Sequence, residues 1–500
     1  MQGSRIDQPL TGAPRWRLVG IVLALAAYVL AFSLFYPSVL TVSDEAAYVE
    51  QASAFASGRT TVSMFDAATM RDVPVLPSSY PPGTSLFLAP FMACFGWRGA
   101  FLLGLLSVCF TVLLTAHWLV REGRDPRFAL LFLTYPAVLV MSRCGMSDVP
   151  SAALVTLGLY LFWFADGRPG WFATAGFAAG VSILLRETNA MVFAFFFLSA
   201  LLRRQTGSGF LILGGLAGSG LRLIMAGLLT GDPFFFRPDY PGFSLVAVGH
   251  NAIFHLGALM VLFPGGLVWI ACYRGRHRAE VAITVAAFVS LFLLYDYNAA
   301  NSGGLKQWIL TSRFFIPLLP VLIVATTEAL PRLLRGALSR AAVLAPNASG
   351  HQTSIAGAAF VLIACTGSFV AHWQHWVWST HQKAVLTSLL ASTTPNTPVF
   401  TNLDATRKFF NQTYAASDGV RRVISLDVLT DSTMDRLLSR FGVVQIAIVT
   451  RSDSPYWARS SEGRLNQVED LTKRFSVELH FHLPLPSGET VSVWSVRQRH

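Results

Sequence analysis

Long apolar runs separated by short polar loops dominate the first three quarters of the chain. Stretches such as 18–36, 100–120 and 281–294 contain no Asp, Glu, Lys or Arg, and about 20 consecutive apolar residues are what a helix needs to cross a bilayer. Read this way, the chain crosses a membrane about eleven times. The expected spans are 17–36, 98–119, 127–141, 150–165, 170–185, 188–202, 209–230, 252–273, 279–295, 313–330 and 354–372. Beyond residue 383 the pattern changes. Short segments at 398–401, 421–427, 443–450, 475–481 and 491–496 read as strands, with helical stretches at 404–411, 432–441 and 465–475 between them. The expectation is a mostly α, polytopic membrane domain over residues 1–382, followed by a small α/β layer domain over 383–500.

Composition narrows the class. A content of 53% hydrophobic and 13% charged residues is too apolar for a soluble protein and excludes a disordered one. The formal charge of +11 would invite a nucleic-acid reading, but the basic residues sit in short loops between apolar runs and not on one polar face, so they report topology. Arg121, Arg124, Arg127, Arg168, Arg203, Arg204, Arg274, Arg276 and Arg278 all fall on one side if the N-terminus is cytoplasmic. The odd number of spans then places the C-terminal domain outside, in a cell or inner membrane. The first run follows Arg5, Arg15 and Arg17 as a signal peptide would, yet it is too long and lacks a small-residue cleavage site, so it should remain as an anchor. The five cysteines, all in or beside apolar segments, form no disulfide framework.

Acidic residues gather on the opposite, outer side, and the first outer loop, 37–97, is the most informative. Ser43 and Asp44 are good helix caps, and the alanine-rich stretch after them predicts a helix lying on the outer leaflet and ending at Gly58. Asp44 and Glu45 would then sit just above the membrane. Further on, Ser78-Ser79-Tyr80-Pro81-Pro82-Gly83 is a rigid turn that launches an apolar run over 84–95, too short for a span and better read as a second juxtamembrane helix. Other outer candidates are Arg143 and Asp148 in the second outer loop, Arg186 and Glu187 at the end of a span, and Arg313 at the start of another. Each has a structural alternative. Asp44 and Asp148 could cap helices, Arg186 and Arg313 could reach lipid headgroups, and Glu187 could simply pair with Arg186. Phe234, Phe235 and Phe236, with Arg237, Asp239 and Tyr240, read as an interfacial aromatic loop or the lining of a lipid groove. His372 and His375 lie among tryptophans and read as an interfacial belt, with no third ligand for a metal. The glycine cluster at 214–220 has no preceding strand and no following Lys, so close helix packing explains it better than a nucleotide loop. Arg222, within the same span, should face protein or a cavity.

Taken together, an acid pair after the first span (Asp44, Glu45), a Tyr-Pro-Pro-Gly entry (Tyr80 to Gly83) and Ser-Asp-x-Pro in the second outer loop (Ser147 to Pro150) resemble the GT-C superfamily. Arg-Glu at a span end (Arg186, Glu187) and Arg-Phe-Phe-x-Pro-Leu-Leu-Pro (Arg313 to Pro320) extend the likeness. Within the superfamily the motifs look like the family 39-like branch of protein O-mannosyltransferases and lipid A aminoarabinose transferases, over roughly residues 15–380. The resemblance implies an enzyme that moves a hexosyl or pentosyl group from a polyprenyl-phosphate donor to an acceptor hydroxyl on protein, lipid or cell-envelope glycan, in a single inverting displacement. It implies Asp44 as the base that takes the hydroxyl proton. Asp148 would help position a substrate, and Arg186 and Arg313 would grip the departing phosphate. Glu45, Tyr80 and Arg143 are further candidates for substrate contact, and Asp44 with Glu45 could hold a divalent metal ion. One departure stands out: Tyr80 occupies the place where relatives use a Lys to hold donor phosphate, so that grip must come from elsewhere. The partners expected are donor, acceptor and membrane lipids, with no nucleic acid. The C-terminal domain would cover the site or shape acceptor binding. The rival reading is a transporter or lipid-sugar flippase, which should show ionisable groups at mid-membrane and duplicated spans; a scaffold retaining the fold is a third.

Overall fold

The computed structural model describes residues 15–235, 242–263, 265–295, 304–341, 349–403, 421–450, 463–485 and 488–499. In chain order the helices are α1 (Arg15–Leu34), α2 (Ser43–Ala56), α3 (Gly83–Phe95), α4 (Ala100–Arg121), α5 (Pro136–Met141), α6 (Asp148–Trp163), α7 (Pro169–Leu185), α8 (Ala190–Leu202) and α9 (Ser208–Thr230). They continue with α10 (Ala247–Asn251), α11 (Ala258–Leu262), α12 (Gly266–Cys272), α13 (Arg278–Leu294), α14 (Gly304–Ser312), α15 (Leu319–Ala341) and α16 (Ser349–Ser392). By length and composition four helical stretches among the described residues could cross a membrane: Arg17–Leu34, Trp97–Arg121, Ser208–Thr230 and Trp308–Leu333. A pair bent by 77°, Ala247–Leu262 with Gly266–Cys272, would make a fifth.

Two expected spans are not single helices. Residues 127–141 form a 3-10 helix, Pro126–Phe132, and then the short α5. Pro136 causes the break, since it lacks an N–H for the preceding turn and holds Tyr135 extended. Leu130, Phe132, Leu133, Tyr135 and Val138 are wholly buried, so this backbone is covered by protein. The run at 252–273 contains a π-helical turn, Ala252–Gly257, and bends after α11.

By compactness the chain falls into two units, residues 1–36 with 103–374, and residues 37–102 with 375–500. The regular elements of the first unit are helices, with one isolated antiparallel bridge between Phe243 and Tyr295 among the described residues. Its tightest contact is between α7 and α9, where glycines let the backbones touch. A Cβ on Gly176 would come 2.0 Å from the Leu211 carbonyl oxygen, and one on Gly214 would come 2.0 Å from that of Ala173. Gly180 and Gly218 are similarly confined, so the packing reading of the 214–220 cluster holds at Gly214 and Gly218. α9 begins after Gly207 and ends at Gly231, both at positive φ (86° and 77°).

In the second unit, residues 37–102 sit with the C-terminal sheet. Strands β1 (Val62–Asp66) and β2 (Arg71–Val75) form an antiparallel hairpin in a stretch whose polar and apolar residues show no clear period. Asp66 closes its turn, accepting from the Ala68 and Thr69 amides at 3.0 and 3.2 Å and the Thr69 hydroxyl at 2.7 Å. The hydroxyl bond first, then the amides, hold its carboxyl below the usual range.

The sheet has the order β4-β3-β5-β7-β6. Here β3 (Pro398–Thr401) runs parallel to β4 (Arg422–Ser425) and β5 (Val444–Thr450), while β7 (Thr490–Arg497) is antiparallel to β5 and to β6 (Ser476–Pro484). Helices Asp431–Phe441 and Arg464–Thr472 bury Met434, Leu437, Val468 and Leu471 against Phe400, Ile424 and Ile446. Phe65 of the hairpin inserts into this same core, with Arg422 over its ring at 5.7 Å. The expected helix at 404–411 and the loop residues Arg237, Asp239 and Tyr240 lie outside the described residues.

Candidate active site

Asp44 is the second residue of α2, and its cap is Val42. The carboxylate therefore does not cap the helix, although an acid here still favours the positive end of the helix dipole. It is half-buried, and Oδ1 accepts a 2.6 Å hydrogen bond from the Tyr80 hydroxyl. Glu45, one position on, is wholly buried and turns back: Oε2 accepts from the Thr41 amide at 2.7 Å and the Val42 amide at 3.4 Å. That is the reaching-back half of a capping box, which satisfies N–H groups the helix start would leave open. The Thr41 hydroxyl also lies 3.5 Å from His375 Nε2. Successive helix residues point about 100° apart, and Asp44 and Glu45 do turn to different partners. Among the described residues no three His, Cys, Asp or Glu side chains converge to hold a metal ion.

Tyr80 reaches Asp44 from a turn that has little freedom. Its amide donates to Ser78 Oγ at 3.1 Å, Pro81 and Pro82 follow, and α3 starts at Gly83. The Tyr80 and Tyr48 rings lie 5.1 Å apart, and Ser85 Oγ donates to the Tyr48 carbonyl at 3.0 Å, so α2 and α3 are joined on both sides of the acid. Tyr48 and Ser85 carry no sequence signal of this role.

The remaining candidates lie in the helical unit. Asp148 is the first residue of α6 and is buried; its carboxylate takes an ion pair from the Arg186 guanidinium. Arg186 ends α7 in an extended conformation, which swings its side chain off the helix, and Nε donates to Thr188 Oγ1 at 3.2 Å. Its guanidinium carbon is 5.2 Å from the centre of the Phe314 ring. Arg313 opens the 3-10 helix Arg313–Leu318, is 7% exposed, and holds its guanidinium 5.3 Å from the same ring centre. Phe314 in turn stacks on Phe292 at 4.8 Å and 13°. Two arginines 127 positions apart in sequence thus lie near one aromatic ring. At 7% exposure, Arg313 is packed in protein and does not extend to lipid headgroups.

Arg143 is wholly buried and does not join this group. It donates to the Phe35 carbonyl just past the end of α1 and lies over the Phe32 ring at 5.6 Å. Burial pushes its guanidinium down to about 10, which leaves it charged at neutral pH. Glu187 pairs with Arg222 and not with its neighbour Arg186: Arg222 Nε donates to it at 3.0 Å, and Nη2 donates to the Phe235 carbonyl at 2.9 Å. Arg222 is 8% exposed and faces protein, as a charge within a span must. On α16 the buried face carries His372, His375, Ser379 and Gln382, whereas Trp373 and Trp376 are exposed, so a belt suits the tryptophans and the histidines are packing residues. His372 sits edge-on to Tyr28 at 5.1 Å.

No protein-family model and no curated protein sequence matches the chain. Among solved structures the chain is similar to ArnT from Cupriavidus metallidurans bound to undecaprenyl phosphate, with 16% identity and a TM-score of 0.61, over 96% of this chain and 98% of that one. The apo form of the same protein aligns over the same shares at 16% identity with a TM-score of 0.57. At that identity the likeness carries the fold alone, and it carries it over nearly the whole chain: the chain has an ArnT-like fold.

Proposed function

We propose that the chain is an integral membrane glycosyltransferase that takes one sugar from a polyprenyl-phosphate donor and adds it to an acceptor hydroxyl on the outer face of the membrane. In the proposed step the acceptor oxygen bonds to the anomeric carbon while the bond from that carbon to the phosphate oxygen breaks. The electron pair leaves on the phosphate, and the hydroxyl proton passes to Asp44. Arg186 and Arg313 receive the anionic leaving group, and Asp148 keeps Arg186 in place. The observation that carries this reading is the pair of arginines on the Phe314 ring. Asp148 pairs with Arg186, and Arg313 brings a second guanidinium to the same ring, an arrangement that an anionic phosphate would stabilise. A solved structure of the same fold with undecaprenyl phosphate bound supports the donor class.

The same reading includes about eleven crossings, a cytoplasmic N-terminus and an extracytoplasmic C-terminal domain. The acceptor class is protein, lipid or envelope glycan, and the sugar a hexose or pentose. Asp44 and Glu45 turn to different partners, so the proposed step assigns them no shared metal ion. The test is incubation of the reconstituted protein with radiolabelled polyprenyl-phosphate sugars and membrane extract. Label in a new product supports transfer, and donor that only crosses the bilayer supports a flippase instead.

A further inference from the structure

We propose that Tyr80 is a positioning residue for the base: its hydroxyl holds Asp44 Oδ1 and so sets the orientation of the carboxylate toward the acceptor. This rests on the transferase reading above. The hydrogen bond between Tyr80 and Asp44 is short, 2.6 Å, the length expected when the acceptor is charged. The donor is delivered by a stiff element. Two consecutive prolines fix the backbone on one side, the Ser78 hydroxyl accepts the Tyr80 amide on the other, and the ring lies against Tyr48. A carboxylate can rotate about its last bond, and proton abstraction needs the accepting oxygen within hydrogen-bond reach and in line with the O–H. An anchored donor on one oxygen removes that rotation without supplying a charge. A lysine at this position would instead present a flexible cation, suited to a phosphate. Tyr80 is neutral, and its polar atom is committed to the carboxylate. The donor phosphate and the acceptor proton are thus handled by separate residues, the first by arginines and the second by the Asp44 and Tyr80 pair.

The test is Tyr80→Phe in the full-length, reconstituted protein, with kcat, the KM for the lipid donor and the unfolding temperature measured together. The variant keeps the ring contact with Tyr48 and loses only the donor. The expected result is a fall in kcat of roughly 10-fold or more, with the donor KM and the unfolding temperature unchanged. Should the unfolding temperature drop, Ser78→Ala provides the same reading, because it loosens the turn and leaves the Tyr80 hydroxyl; it should lower kcat by a smaller factor at constant donor KM. Unchanged kcat in Tyr80→Phe overturns the proposal. So does a raised donor KM at normal kcat, which would make Tyr80 a donor contact. No transfer by the unaltered protein would instead overturn the transferase reading, and this one with it.

Discussion

At the scale of single residues, the chemistry depends on charges that are held by particular partners. Asp148 and Arg186 are both largely buried, with side-chain exposures of 2% and 12%, so neither can be neutralised alone without leaving the other charge in a poorly solvated place. Asp148→Asn should therefore destabilise the protein by about 3 kcal/mol. The double variant Asp148→Asn, Arg186→Gln should recover part of that loss. Thermal unfolding of the single and double variants measures the coupling, and strictly additive losses would show that the two side chains do not depend on each other. This pairing could not be read from the sequence. Asp148 and Arg186 were both recognisable as candidates from their positions beside span ends, but a separation of 38 positions in sequence says nothing about contact. Nearest neighbours mislead for the same reason, as Glu187 bonds to Arg222 and not to Arg186.

At the scale of elements, two contacts carry predictions. Gly214 lies against the α7 backbone, and a methyl group there would meet the Ala173 carbonyl oxygen at 2.0 Å, whereas a methyl on Gly220 of the same helix meets nothing within 4 Å. Gly214→Ala should cost about 1–3 kcal/mol by forcing the helices apart. Gly220→Ala should be neutral or slightly stabilising, since alanine favours the helix by up to about 1 kcal/mol. Comparable unfolding temperatures for the two variants would contradict the packing account. The second contact is the insertion of Phe65 into the core of the C-terminal sheet. Phe65→Ala should remove about 3 kcal/mol of packing and speed hydrogen exchange in helix Asp431–Phe441, with exchange in α7 and α9 unaffected. Equal exchange across the whole chain in variant and parent would rule the anchoring role out. Spans were legible because hydropathy is a local property of consecutive residues, as 18–36 and 100–120 show. The hairpin was not, because only Phe65 among its residues is buried and the surrounding polar positions carry no period of two. Likewise, Pro136 was visible, but its effect on the run 127–141 depends on how the covered backbone is satisfied by the rest of the protein.

At the scale of the whole molecule, the fold of the solved ArnT structure covers 96% of the chain although only 16% of aligned residues are identical. A fold can persist at that identity because it is fixed by apolar pattern and packing, while a few polar positions decide chemistry. Of the proposed site, Asp44 and the arginines were legible as residue types in suitable places. The Phe314 ring that gathers the arginines was not, since an aromatic in an apolar run looks like any other packing residue. The central claim is that Asp44 removes the acceptor proton during sugar transfer. Its most direct test is single-turnover transfer by purified Asp44→Asn, set beside its unfolding temperature and its binding of undecaprenyl phosphate. The account predicts normal folding and normal lipid binding with transfer reduced by roughly 100-fold or more. Near-normal transfer by that variant would contradict it.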